Sequence, residues 1–181
     1  GKKYKLLFPS QLTEDWFRNI KRANLDKPNI LYVGRIKIEK GVFSLLEILK
    51  KLDFPYQLTL VGQGDKITNI PDKVSLLTPL SNKDDLIKIY DDHNISILPS
   101  FTEGHPQVLI ESLARLRPVI IFEDINFIKK NYKGVFVSKR NSEDLTRTVK
   151  YIIANYHEIS NLMKENDLPT KKSFIAELSK E

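Results

Sequence analysis

"NILYVGRIKIEKGVFSLLEILKKLDFPYQLTLVG", residues 29–62, decides the fold. It opens on a short apolar run, "NILYVG" (29–34), of the β-branched and aromatic kind that fills buried strands. The pattern then changes to the helical period of "VFSLLEILKKL" (42–52) and returns to a strand-like run at "YQLTLVG" (56–62). Strand, helix and strand in that order form the unit from which parallel sheets are built.

The alternation continues outward from this unit. "VSLLT" (74–78), "ISILP" (95–99), "PVIIF" (118–122) and "GVFV" (134–137) read as further buried strands. "NKDDLIKIYDDH" (82–93), "PQVLIESLARL" (106–116) and "SEDLTRTVKYIIANY" (142–156) read as helices between or after them. The expected fold class is α/β, a doubly wound, mainly parallel Rossmann-like sheet with helices on both faces, over residues 29–156. Residues 63–73 have no clear helical period and read as a loop or a short helix. Residues 1–28 read as a linker or leading helix, and residues 157–181 as C-terminal helices broken at Pro169.

Composition narrows the function classes. No apolar run reaches the eighteen or so residues that cross a bilayer, and no signal-like segment opens the chain, so a cytoplasmic location is expected. There is no cysteine, which removes disulfides and thiolate metal sites. The three histidines, His93, His105 and His157, are scattered, and no metal site is expected. The net charge is +6, and residues 1–28 hold seven basic residues against three acidic ones. Two-thirds of the excess therefore sits in the leading segment, as a solvated face or as a contact for anionic lipid or another polyanion at a membrane face. No motif for nucleic acid accompanies it.

In open parallel sheets, ligands bind outside the carboxyl ends of the strands. Gly34, Gly62, Gly64 and Gly104 fall just past predicted strand ends, and Gly41 opens the helix after the first strand. In "GRIKIEKG" (34–41), Arg35, Lys37 and Lys40 crowd a helix entrance, where the macrodipole disfavours cations by roughly 0.3–1 kcal/mol each. A bound phosphate would offset that cost; neutralisation by Glu39 is the alternative.

"SFTEGHPQVLIESLA" (100–114) carries two glutamates eight apart, Glu103 and Glu111. Pro106 suits the first position of a helix running to Leu116, whose leading N–H groups, from Gln107 and Val108 onward, would face the cleft as an anion site. Leu109, Leu113 and Leu116 form the expected buried stripe. Glu111 falls on another side, where two readings stand. It pairs with Arg115 at i,i+4, or it accepts hydrogen bonds from sugar hydroxyls while Glu103 meets a second sugar.

These residues resemble a known family. Glu103-Gly104-x-Pro106 followed by Glu111 resembles the EX7E signature of the retaining glycosyltransferases of group 1, family 4. "GRIKIEKG", "LTLVGQGD" (58–65) and "ISILPSFTEGHPQVLIESLA" (95–114) resemble that family's other segments in the same order. The resemblance implies one half of a GT-B fold, the donor-binding domain, with the acceptor, a glycan or a lipid-linked glycan, met by an N-terminal domain that these residues do not include. It implies that Arg35 and Lys40 hold the donor diphosphate, with backbone amides around Gly34, Gly62, Gly104, Gln107 and Val108. Glu111 would bind the ribose and Glu103 the transferred sugar near the reacting carbon. Arg35, Lys40 and Glu103 are thus the catalytic candidates. The nucleotide diphosphate-sugar is a substrate, and no cofactor or metal is implied. Two departures from the family pattern stand out: Arg117 where a glycine is usual, and His105 where an aromatic residue is.

Other readings of the same fold are a sugar-nucleotide 2-epimerase and a nucleotide-binding module without catalysis. A dinucleotide oxidoreductase would need G-x-G-x-x-G after the first strand. The lone G-x-G, at 62–64, follows the second strand and has Ile67 in the third glycine's place.

Overall fold

The structure is a computed structural model, which describes residues 10–180. Lys2, Lys3 and Lys5 of the basic leading segment lie outside the described residues. Six parallel strands form one sheet in the order β3-β2-β1-β4-β5-β6. They are β1 (Asn29–Val33), β2 (Gln57–Val61), β3 (Val74–Leu77), β4 (Ile95–Leu98), β5 (Val119–Phe122) and β6 (Val135–Ser138). β4 and β5 are buried at every residue, which is why both read as unbroken apolar runs.

The helices are α1 (Val42–Leu49), α2 (Lys83–Asp91), α3 (Gln107–Ala114), α4 (Ser142–Ala154), α5 (Tyr156–Met163) and α6 (Lys171–Leu178). Side-chain caps fix three of their starts: Asn82 accepts from the amides of Asp84 and Asp85, Asn141 from Asp144, and Thr170 from Ser173. Residues 62–73 contain no helix. Gly62, Gly64 and Pro71 interrupt the segment, and β2 and β3 are joined by an irregular crossover.

Two boundaries differ from expectation. Pro106 is the cap of α3, with ψ at 119°, and not its first helical residue. The helix also stops at Ala114, because Leu116 takes a left-handed φ of 53° and the amides of Arg115, Leu116 and Arg117 turn back onto carbonyls of the last turn.

The order reverses between β1 and β4. From β1 the chain winds through β2 to β3, then α2 carries it back to β4 on the other side of β1. Loops leaving those two strands diverge, and a crevice opens at their carboxyl ends.

Residues 10–28 run along one face as irregular chain with a single 3-10 turn at Glu14–Phe17. Trp16 is 3% exposed and meets Tyr90 edge-on, with 5.9 Å between ring centroids. Around this pair Leu12, Leu31, Val61, Ile110 and Ala114 form a second core cluster, on the sheet face that carries α2 and α3. The Leu12 carbonyl accepts from the Lys171 amide at 2.8 Å, so the leading segment also ties to α6.

Candidate functional site

A cavity of about 240 Å³ sits at the β1/β4 crevice, lined by residues from three places in the sequence. Gly34, Arg35 and Lys40 come from the segment after β1, Ser100 and Glu103 from the loop after β4, and Gln107 and Val108 from the first turn of α3. Six of the sequence-selected residues are thereby gathered in one place.

Close backbone packing holds the first of these segments. Gly34 N–H donates to the Val61 carbonyl and Ile36 N–H to that of Gln63, which extends the β1/β2 pairing past the strand ends. A Cβ on Gly62 would fall 1.8 Å from the Gly34 oxygen. Gly62 therefore supports Gly34 from behind and is not among the lining residues. Gly41 performs the same service at the start of α1: its φ is 74°, and a Cβ would lie 1.9 Å from the Pro99 oxygen.

These contacts bring Lys40 to the loop after β4. Lys40 Nζ donates to Glu103 Oε1 at 2.8 Å, and the Ser100 hydroxyl donates to the same oxygen at 2.8 Å. Both charged side chains are largely shielded, 22% and 11% exposed, so this pair lies in the crevice wall. The Phe101 amide donates to the Glu39 carbonyl at 3.0 Å, pinning one loop to the other. Arg140, just past β6, completes the support: it pairs with Asp124 at 2.7 Å, donates to the Ser100 carbonyl, and stacks over Phe101 and Phe122 at 3.9 and 4.4 Å.

Arg35 is exposed at the rim, and no carboxylate pairs with it among the described residues. Its carbonyl accepts from the Tyr32 hydroxyl at 2.6 Å. Burial, with the Glu103 charge nearby, pushes that hydroxyl far above its ordinary range and keeps it a donor. Lys37 is drawn away from the cluster by Asp65 at 2.7 Å, a partner from the loop after β2 and not the neighbouring Glu39. Gly104 is exposed, and a Cβ there would meet nothing within 4 Å. Nothing inside the chain requires glycine at that point.

Glu111 does not pair with Arg115. The Arg115 guanidinium is buried, gripping both Asp91 oxygens at 2.9 and 2.8 Å and the carbonyls of Trp16, Arg18 and Asn19. The backbone spacing is intact, since the Arg115 amide still bonds the Glu111 carbonyl; the guanidinium is instead taken by the buried Asp91 carboxylate across the α2/α3 contact. Glu111 instead accepts from the Tyr90 hydroxyl at 2.9 Å, one helical turn beyond Gln107 and Val108. Burial pushes its carboxyl above the usual glutamate range, and the Tyr90 bond draws it partly back.

Arg117 also has a defined place. It is 2% exposed and donates to the carbonyls of Tyr90, Asp91, His93 and Arg115, closing the end of α2. Ser100, Tyr90 and Arg140 were not selected from the sequence. Ser100 lies in the quoted loop motif, but the other two have no local signal, since each meets its partner across at least twenty-one residues or, for Arg140, sixteen or more.

Among the described residues no cluster of three or more His, Asp or Glu side chains could hold a metal ion. No helix there is long and apolar enough to cross a membrane.

Comparison with known proteins adds a family, two relatives and a solved structure. The family model described as glycosyl transferases group 1 matches residues 14–167. An uncharacterized glycosyltransferase of Haemophilus influenzae is 30% identical over 151 residues, covering 75% of this chain and 42% of its own. The N,N'-diacetylbacillosaminyl-diphospho-undecaprenol alpha-1,3-N-acetylgalactosaminyltransferase of Campylobacter jejuni is 24% identical over 152 residues, covering 80% and 40%. Among solved structures, Anabaena HepE in complex with UDP and glucose superposes with a TM-score of 0.69 at 12% identity, over 84% of this chain and 47% of that one. The chain spans between 25% and 43% of the length of the curated relatives it matches.

Proposed function

The chain belongs to the group 1 glycosyl transferase family, and from that premise we propose that its crevice binds a nucleotide diphosphate-sugar as the donor half of a retaining sugar transferase. The carrying observation is the meeting of Arg35, Lys40, Glu103 and the first turn of α3 around one cavity at the sheet's reversal point. A cationic rim and a helix N-terminus suit a diphosphate, and a carboxylate suits a sugar.

In this reading Arg35 grips the diphosphate from the rim and Lys40 reaches it from the wall. The bond from the sugar to the diphosphate breaks, its electron pair leaves on the diphosphate oxygen, and an acceptor hydroxyl forms the new bond and passes its proton to that departing oxygen. Arg35, Lys40 and the dipole of α3 stabilise the departing charge. Glu103, held by Ser100 and Lys40, touches the transferred sugar. Glu111, held by Tyr90, takes the ribose hydroxyls. Backbone at Gly34, Gly62 and Gly104 lets the donor approach closely or supports the groups that do. The chemistry calls on no resident metal or cofactor.

The acceptor, a glycan or lipid-linked glycan of surface polysaccharide synthesis, meets a further domain at the cytoplasmic face of the membrane. The name of the Campylobacter relative, with its undecaprenol-linked acceptor, supports that part of the reading. The UDP and glucose seen with HepE support the donor class.

The test is a calorimetric titration of the chain with UDP, GDP and ADP, beside Arg35→Ala and Glu111→Ala. One nucleotide should bind, and each variant should weaken it by about 1–3 kcal/mol. Binding of none, or variants equal to wild type, overturns the assignment.

A further inference from the structure

At the other end of the sheet, where Arg117 leads into β5 and residues 20–23 approach β1, lies a cavity of about 430 Å³. Residues 20–23 form one wall and α5 with Lys164 another. Lys21, Arg22, Arg117, His157 and Lys164 all line it, and no carboxylate does.

Among the described residues no carboxylate forms an ion pair with the cations here. Elsewhere Arg18, Lys37, Lys40, Arg115 and Arg140 each sit on a carboxylate. In this cavity Arg22 contacts the His157 imidazole at 3.1 Å and Lys164 the Asn161 amide oxygen at 3.2 Å, and no ion pair among the described residues involves Lys21. Arg117 makes the case sharper. It is buried, its donors end on four carbonyl oxygens, and the nearby Asp91 carboxylate is held by Nε and Nη2 of Arg115. A positive charge is thus buried in the cavity wall with no carboxylate hydrogen-bonded to it among the described residues, Asp91 and Asp92 acting on it only through space, an arrangement that a bound anion would favour.

Two features that the donor site leaves unused meet at this place. One is the basic leading segment, which supplies Lys21 and Arg22. The other is Arg117 itself, a buried arginine just before β5.

We propose that this cavity binds the phosphate or diphosphate group of a phosphate ester, at the opposite end of the sheet from the donor crevice. Arg22 supplies a planar fork, Lys21 and Lys164 supply mobile point charges, and Arg117 supplies standing positive potential from beneath. Ile20, Leu116 and Tyr156 give the wall an apolar portion for the ester's organic body. The site shares no lining residue with the donor crevice, so the two assignments stand or fall separately.

The test is an amide-shift NMR titration of the chain with inorganic pyrophosphate, for wild type and Lys21→Gln/Lys164→Gln. Both lysines are exposed, and the amide spectrum itself reports whether the double variant keeps the fold. Saturable shifts at residues 20–23 and 157–164 are expected, weakened roughly tenfold or more in the double variant, with any response at residues 34–40 unchanged. Shifts confined to residues 34–40, or shifts at 20–23 that rise without saturation and equally in both proteins, overturn the proposal. Co-sedimentation with phosphatidylglycerol vesicles identifies the source. Binding that the double variant loses assigns the phosphate to a lipid headgroup, whereas pyrophosphate saturation without vesicle binding assigns it to a soluble ester; either result supports the site.

Discussion

The Tyr90 hydroxyl, on α2, donates a 2.9 Å hydrogen bond to Glu111 Oε2, on α3, and so orients the second glutamate of the quoted motif. Burial raises the Glu111 carboxyl and outweighs the Tyr90 bond, which lowers it, while the Tyr90 hydroxyl itself is pushed well above its ordinary value and stays a donor. If ionised Glu111 accepts ribose hydroxyls, nucleotide affinity should fall on acidification at a higher pH than an ordinary glutamate would set. Tyr90→Phe should move that midpoint up, and Glu111→Gln should flatten the dependence. Stability runs the other way: a raised carboxyl favours folding fully below its unfolded value and loses that contribution as pH rises through the folded one. Calorimetry and urea unfolding across a pH series check the two opposite slopes.

The Lys40–Glu103 pair separates binding of nucleotide from binding of sugar. Lys40→Met should weaken UDP, GDP or ADP, whichever binds, by about tenfold or more through loss of a charge-assisted contact. Glu103→Gln should leave nucleotide affinity within about threefold and lower affinity for the matching nucleotide-sugar, because a neutral amide still fills the site but accepts fewer hydroxyl donors. Parallel titrations with nucleotide and nucleotide-sugar read both. Equal losses for the two ligands in Glu103→Gln would remove the sugar role.

Gly104→Ala should fold normally, since a Cβ there meets nothing within 4 Å. A melting temperature within about 2 °C of wild type is expected for a change of under 0.5 kcal/mol. Gly104→Val should likewise keep the fold, and should lose donor affinity if the proposed donor occupies the open space beside it. A valine variant that binds as wild type does would show that space to be unused.

Arg115→Met leaves Asp91 buried without its partner, and unfolding by urea should show a loss of about 3–5 kcal/mol. Arg115→Met/Asp91→Leu should recover a large part of that loss, because no uncompensated charge remains. A single variant within about 1 kcal/mol of wild type would mean that water relieves the aspartate.

The sheet was legible because each strand is a short apolar run bounded by turn residues, and β4 and β5 are buried on both faces. Much of the crevice was legible for a related reason: ligand sites follow strand ends, and Gly34, Lys40 and Glu103 are all close to one. Side-chain partnerships were not. Arg115 sits at a helical spacing from Glu111, yet its partner is Asp91, twenty-four residues away and brought close only by packing of α2 on α3. Two arginines at 115 and 117, directly before an apolar strand, were the available signal that charge is being buried there. The crossover at 62–73 stayed ambiguous because its glycines and proline deny it a period, whatever the chain does next.

The grip of Arg115 on the carbonyls of Trp16, Arg18 and Asn19 bears on where this unit can be cut. A chain shortened to begin at Asn29, the first residue of the sheet, would strip three acceptors from a buried guanidinium and remove Trp16 from beside Tyr90. Tyr90 is the residue that holds Glu111. The smallest autonomous piece therefore starts well upstream of the first strand, and a shorter one would be expected to lose solubility and nucleotide affinity together.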